Sequence, residues 1–231
     1  MDEHCAIIRG DLSKKQIALV FTGDEFADGG EVITNVLNAN NVKASFFLTG
    51  NFYKTPAFNP MIKRLKNDGH YLGAHSDKHL LYADWTNRDS LLVTRDQFRK
   101  DLRRNYKRMK SYGINKEGAP YFLPPYEWYN KSIAKWTGEM GLTLVNFSPG
   151  TRSAADYTYP GMSGYKTSEE IYSSIMNYEK QDTHGLNGFI LLTHIGSDNR
   201  RSDKFYLRLD ALIKELKHNG YALIKIDELL E

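Results

Sequence analysis

The chain predicts a parallel α/β fold in one domain, closed or nearly closed into a barrel. Three observations carry that prediction. Seven short runs are almost continuously apolar, as strands buried on both faces are. Longer stretches with helical periodicity and readable ends alternate with them. No Gly-rich phosphate loop follows the first run, which favours a barrel over an open doubly wound sheet.

The elements follow in chain order. The first two strands are 17-IALVFT-22 and 43-KASFFLTG-50. Asn59-Pro60 then opens a helix as N-cap and first-turn proline, and Gly69 closes it. The third strand is 71-YLGAH-75. Thr94 and Gln97 form a capping box ahead of Phe98, Leu102, Tyr106 and Met109 on one helical face, ended by Gly113. After the fourth strand, 120-PYFLP-124, Asn130 caps a helix with Ile133, Trp136 and Met140 inward and Gly141 as its stop. The fifth strand is 142-LTLVNF-147, and Thr167 with Glu170 makes a second box. The sixth is 188-GFILLTH-194. The last long helix carries Leu209, Leu212, Ile213 and Leu216 to Gly220, before the seventh strand, 221-YALIKI-226. No repeat and no linker divides residues 1–231, so they read as one domain with 1–15 as an N-terminal extension.

Composition narrows the function classes. With 31 basic against 28 acidic residues, the net charge of +3 makes no case for nucleic acid. No apolar stretch approaches the ~20 residues of a membrane-spanning helix. The single cysteine, Cys5, excludes an internal disulfide framework. The opening residues are polar and unlike a signal peptide, so the chain is either intracellular or lacks a leader or upstream segment. A monomer or weak oligomer is expected.

Candidate chemistry gathers at the strand C-terminal ends, where sites of such folds are built. Asp24 and Glu25 follow the first strand, and His75 and His79 the third. The loop 123-LPPYEWYN-130 follows the fourth, and His194 ends the sixth. Imidazoles at i and i+4 converge on one ion if the chain turns helically, with Asp24 as a third ligand and one position left open. Such a site lowers the pKa of water and polarises a carbonyl. His194 is then a candidate general acid, and Ser76 a hydrogen-bonding group for ligand or substrate. An HxxxH pair alone is weak, and His194 alone reads equally as a core histidine; their joint placement favours function.

These blocks resemble the polysaccharide deacetylases of carbohydrate esterase family 4, the NodB-homology domain. 73-GAHSDKH-79 matches the H-[ST]-x-x-H metal motif, 123-LPPYEW-128 resembles R-P-P-Y-G, and 191-LLTH-194 the late strand ending in histidine. The resemblance runs from 17-IALVFTGDE-25 to 221-YALIKIDEL-229. It implies a distorted (β/α)7 barrel and a divalent metal, zinc first, with cobalt or nickel as alternatives. It also implies hydrolysis of N- or O-acetyl groups on an acetylated polysaccharide. Asp24, His75 and His79 would hold the metal, metal-activated water would attack, and His194 would protonate the leaving group. Glycan deacetylases meet their substrates outside the cytoplasm, so an extracellular or periplasmic address is expected, with a cytoplasmic one left open.

Three departures concentrate in one place. The family's T-F-D-D reads 20-VFTGDE-25, which aligns Thr22 and Gly23 with the base and ligand aspartates. Asp24 takes the ligand position if the strand end carries one more residue. Glu25 is the first candidate base and Asp28 another. Leu123 stands for the arginine that orients the base, and Glu127 for the motif's glycine. Glu127 reads either as a relocated base or as a surface carboxylate. Arg152 and Asp156 either refill the site or form a solvated salt-bridging loop. Pro125, Tyr126, Trp128 and Arg152 are the candidate substrate-binding residues. Tyr129, Tyr157 and Tyr159 lie on the same loops, and sugar C–H faces stack on such rings. The alternative reading is an impaired glycan-binding module that keeps the fold.

Overall fold

The computed structural model describes residues 1–231. The strands are β1 (Gln16–Gly23), β2 (Ser45–Leu48), β3 (Tyr71–Ala74), β4 (Tyr121–Phe122), β5 (Thr143–Leu144), β6 (Phe189–His194) and β7 (Ala222–Ile224). All seven predicted strands form, and every pairing between them is parallel. The sheet order is β5-β4-β3-β2-β1-β6, with β7 paired to the first residues of β1. β4 is short because Pro124 and Pro125 follow one residue after it, past Leu123, and remove two ladder donors.

The helices are α1 (Gly30–Ala39), α2 (Gly50–Lys54), α3 (Asn59–Asn67), α4 (Arg95–Lys110), α5 (Lys131–Glu139), α6 (Ser168–Gln181), α7 (Leu209–His218) and α8 (Ile226–Leu229). Both predicted capping boxes are present, at Thr94–Gln97 and Thr167–Glu170. The Asn130 side chain accepts from the Ile133 N–H as a cap. At α3 the expectation is corrected. Phe58 is the N-cap and Asn59 already helical, because a 3-10 turn over Pro56–Phe58 carries the chain into helical geometry first.

Together the elements make a curled, distorted (β/α)7 barrel around one core of 50 buried apolar residues, which runs from Ala6 to Leu229 and so defines one domain. β5 and β6 end the sheet without pairing to each other. The expected N-terminal extension lies across that gap, with Ile7 bridged to Val145 and Arg9 to Phe189. The Arg9 guanidinium adds bonds to the carbonyls of Asn187 (2.8 Å) and Gly185 (2.7 Å).

Register positions the site. Gly23, Leu48, Ala74 and Phe122 are Cα partners across four neighbouring strands. The residue after each therefore leaves the sheet at one level, and these are Asp24, Thr49, His75 and Leu123. On the other side of β1, Thr22 is in register with His194.

Candidate active site

The row at the strand ends is tied together by hydrogen bonds. Asp24 Oδ1 accepts from Thr49 Oγ1 (2.6 Å) and Asn51 Nδ2 (3.1 Å). His75 is buried, and its Nδ1 lies 2.7 Å from the Leu123 carbonyl oxygen. A carbonyl only accepts, so Nδ1 carries the proton and Nε2 keeps a free lone pair. Leu123 thus contributes its backbone where the family motif has an arginine side chain.

The HSDKH loop turns sharply because Ser76 (φ 74°) and His79 (φ 54°) are both left-handed. Ser76 Oγ accepts from the His79 N–H at 2.8 Å, so this hydroxyl holds the loop. α4 supplies the rest of the clamp. Asn105 Oδ1 accepts from the His75 N–H (3.0 Å), and Asp101 accepts from the N–H groups of Asp77 (3.2 Å) and Lys78 (3.1 Å). The His75 and His79 rings come to lie 5.2 Å apart, centroid to centroid.

Electrostatics keeps both imidazoles neutral. Burial drives His75 well below its ordinary value, and the neighbouring His79 adds to this against the Leu123 hydrogen bond. Burial also lowers His79, opposed by the Asp24 carboxylate. Two neutral imidazoles and a carboxylate are a donor set that fits a divalent transition metal. The convergence is incomplete, however. No three His, Cys, Asp or Glu side chains stand at coordinating separations, and Asp24 is turned towards Thr49 and Asn51.

His194 forms the opposite wall. Its Nδ1 pairs with Asp156 Oδ1 at 2.6 Å, and its backbone N–H donates to Asp156 Oδ2 at 2.8 Å. Burial alone would lower the imidazole, but the Asp156 charge and hydrogen bond, with Glu127 behind them, raise it above its ordinary value. Glu127 is pushed up to about 7, chiefly by burial and against the attraction of His194. Its backbone (φ 54°) and that of Tyr126 (φ 60°) are both left-handed, a conformation suited to the glycine of the family motif.

The other predicted residues divide. Glu25 is exposed on the rim, where it and Asp24 raise the Tyr126 hydroxyl after burial. Asp28 is committed elsewhere, to Lys204 (2.8 Å), the Ser197 N–H (2.8 Å) and Tyr206 (3.0 Å). Arg152 is exposed and lines, with Glu127 and Tyr157, a cavity of about 480 Å³. Pro125 is buried beneath this loop. Tyr126 packs 4.4 Å from the His79 ring. Tyr129 belongs to the interior rather than to a groove: it is 1% exposed and donates to Asp2. Trp128 is half-buried, with the Arg88 guanidinium 4.0 Å from its ring and its Nε1 donating to the Asp84 carbonyl. Trp85, 5.3 Å from Trp128 and 55% exposed, is the most exposed aromatic of this group, ahead of Tyr126 and Tyr157. Tyr157 lies 5.0 Å from the His194 ring, whereas Tyr159 packs under Arg200.

The strand end is packed around the altered first motif. A Cβ on Gly23 would meet side-chain atoms of Ile195 at 2.8 Å, Leu48 at 2.9 Å and Phe52 at 3.0 Å, so an aspartate there would have to push these three aside. Thr22 is buried beside His194 with its hydroxyl unpartnered. Sequence reasoning missed Thr49, Asn51, Trp85, Asp101 and Asn105. For the last two a signal existed, since they fall on the apolar stripe of Phe98, Leu102 and Met109.

Known proteins resemble this chain over most of its length. Peptidoglycan-N-acetylmuramic acid deacetylase PdaA of Bacillus subtilis is 27% identical over 232 residues, covering 100% of this chain and 77% of that protein. Its solved structure, a family 4 carbohydrate esterase, has a TM-score of 0.71 at 26% identity, over 98% of this chain and 85% of that one. A CE4 family pseudoenzyme from Bacillus anthracis has a TM-score of 0.76 at 20% identity, over 100% of this chain and 70% of its own. A family 4 acetyl xylan esterase from Clostridium thermocellum, in complex with a cobalt ion, has a TM-score of 0.70 at 23% identity, over 93% and 89%. Residues 9–145, more than half of the chain, match the polysaccharide deacetylase family itself. The chain therefore belongs to the polysaccharide deacetylases, within carbohydrate esterase family 4.

Proposed function

We propose that the chain is a hydrolase that removes acetyl groups from a polysaccharide. The observation that carries this reading is the Asp156–His194 pair facing the neutral His75–His79 pair across the strand ends. Asp24, His75 and His79 would hold a divalent metal, zinc first and cobalt or nickel as alternatives. When bound, that metal supplies Lewis acidity towards water and the acetyl carbonyl.

The remaining chemistry belongs to the protein's own groups. Asp156 fixes the His194 ring with Nδ1 inward, so Nε2 presents its proton to the leaving amine or alkoxide. Water adds to the acetyl carbon, the C–N or C–O bond breaks, and acetate leaves. Glu25, exposed beside Asp24, takes the proton lost by water. Glu127, once ionised above about 7, adds a second negative charge that raises His194. Exposed Trp85 and Tyr126, with Trp128 behind them, give sugar rings an apolar face beside His79. Pro125 supports that loop, and Arg152 borders the cavity next to Glu127. An address outside the cytoplasm suits a glycan substrate; no helix is long and apolar enough to cross a membrane.

The test is acetate release from acetylated xylan, chitin and peptidoglycan, with and without added zinc or cobalt, on protein of known metal content. Metal-dependent release is expected. Bound metal with no release from any of the three would replace this reading. Thr22 at the base position and the closed packing around Gly23 favour one alternative, a glycan-binding module with impaired chemistry.

A further inference from the structure

α4 has two unlike faces. The inner one packs Phe98, Leu102 and Met109 and clamps the HSDKH loop. On the outer one, Arg99, Arg103 and Lys107 form one i, i+4 stripe, and Lys100, Arg104 and Arg108 a second beside it. Half of the 16 residues are Lys or Arg, against Asp96 as the one exposed carboxylate. This single helix carries more excess positive charge than the whole chain, whose net charge is +3.

Little neutralises it. Arg95 pairs with Glu139, and Arg108 lies 3.8 Å from buried Asp77. The other cations of the two stripes have no carboxylate partner. Like charges at i, i+4 weaken a helix, so the arrangement is kept against local stability. The concave surface between the stripes is lined by Asp96 and five cations, with no apolar residue.

The charge does not stop at the helix. Arg108 lies beside Asp77, Lys78 is the next residue, and Lys78 and Arg108 both hold Lys54 below the usual lysine range. Lys78 immediately precedes His79. Lys54 donates to Asn51, and Asn51 to Asp24. A cationic track of about 12 Å along α4, at 1.5 Å per residue, therefore leads to the candidate active site. The aromatic group of Trp85 and Tyr126 stands beside His79 as well.

We propose that the outer face of α4, continued by Lys78 and Lys54, is the docking track for a polyanionic glycan. The polymer would bear repeated carboxylates or phosphodiesters, along with the acetyl group to be removed. Charge draws the polymer in, and the aromatic flank selects for sugar rings. A bilayer finds no apolar side chain in the groove to bury, and duplex DNA has no use for a track that ends at a hydrolase site. The inference rests on the deacetylase reading for the acetyl group but not for binding.

The experiment measures binding of polygalacturonate, poly(glycerol phosphate), neutral acetylated xylan, anionic phospholipid vesicles and duplex DNA at two salt concentrations. It compares the wild type with Arg103→Glu/Arg104→Glu/Lys107→Glu and with the matching Gln triple variant. The wild type is expected to bind at least one polyanion about tenfold or more tighter than xylan, and to lose most of that preference at high salt. Which polyanion wins assigns carboxylate or phosphodiester. Both variants, folded by circular dichroism, should lose the preference while acetate release from a neutral acetylated oligosaccharide is unchanged. Equal binding of charged and neutral polymers, variants that bind like wild type, or tighter binding to anionic vesicles or DNA would overturn the proposal. Polyanion binding without acetate release overturns the deacetylase reading alone; acetate release without polyanion preference overturns the track alone.

Discussion

Glu127→Gln should stabilise the protein above neutral pH and leave it nearly unchanged in acid. The folded carboxyl titrates near 7, whereas its ordinary value is 4.5. The sign follows from proton binding. Below 4.5 the carboxyl is protonated in both folded and unfolded chains and costs nothing. Between 4.5 and 7 the unfolded chain ionises first, so stability falls as pH rises; above 7 the full penalty is present. At 1.36 kcal/mol per pH unit the penalty is about 3 kcal/mol, reduced to about 2 by solvent reaching a half-buried group. Glutamine keeps the shape and loses the charge. Urea denaturation at pH 8 should therefore give about 2 kcal/mol of added stability, and at pH 4.5 less than about 0.5 kcal/mol. Glu127→Gly relieves a left-handed backbone as well, and should stabilise at both pH values. Equal gains from Glu127→Gln at both pH values would refute the assignment of a desolvated carboxylate.

Other outcomes follow from the same site. His75→Ala and His79→Ala should each abolish stoichiometric divalent metal binding; metal retained by either would remove these residues as ligands. Asp156→Asn removes the main charge that raises His194, leaving burial to lower it against Glu127 alone. Because the acid must be protonated, the alkaline limb of acetate release should move about one pH unit down, tracked by NMR of the ring. An unmoved limb assigns that proton elsewhere. Gly23→Ala should cost about 1–3 kcal/mol in thermal or urea unfolding, since its Cβ would meet three side chains within 3.0 Å. A neutral substitution would mean that this end of β1 yields, and that an aspartate is admissible there.

Much of the fold was legible because parallel strands buried on both faces leave an unambiguous apolar trace, and because Thr94, Asn130 and Thr167 announce their helices. α1 escaped because it begins at Gly29-Gly30 with no side-chain cap, and α2 and α8 because they are too short to show a period. The site was legible in its histidines, which stand at strand ends and carry a motif. Its carboxylates were less so. Asp156 reaches His194 from 38 residues away, a contact that no local pattern encodes. Glu127 differs from a surface carboxylate only through burial, and Asp28 looked available until Lys204, Ser197 and Tyr206 were seen to occupy it.

The N-terminal bridge has a kinetic consequence. Ile7 is joined to Val145, and Arg9 to Phe189, partners that a ribosome makes long after the first ten residues. Until β6 exists, that segment has no second edge to hold, and the sheet stays open between β5 and the place of β6. Contacts so distant in sequence are entropically slow to close. Docking of Ile7 and Arg9 across the gap should thus wait for β6, so that during synthesis the nascent barrel exposes an unpaired strand edge. A chaperone that recognises such edges would meet this chain while β6 is still missing.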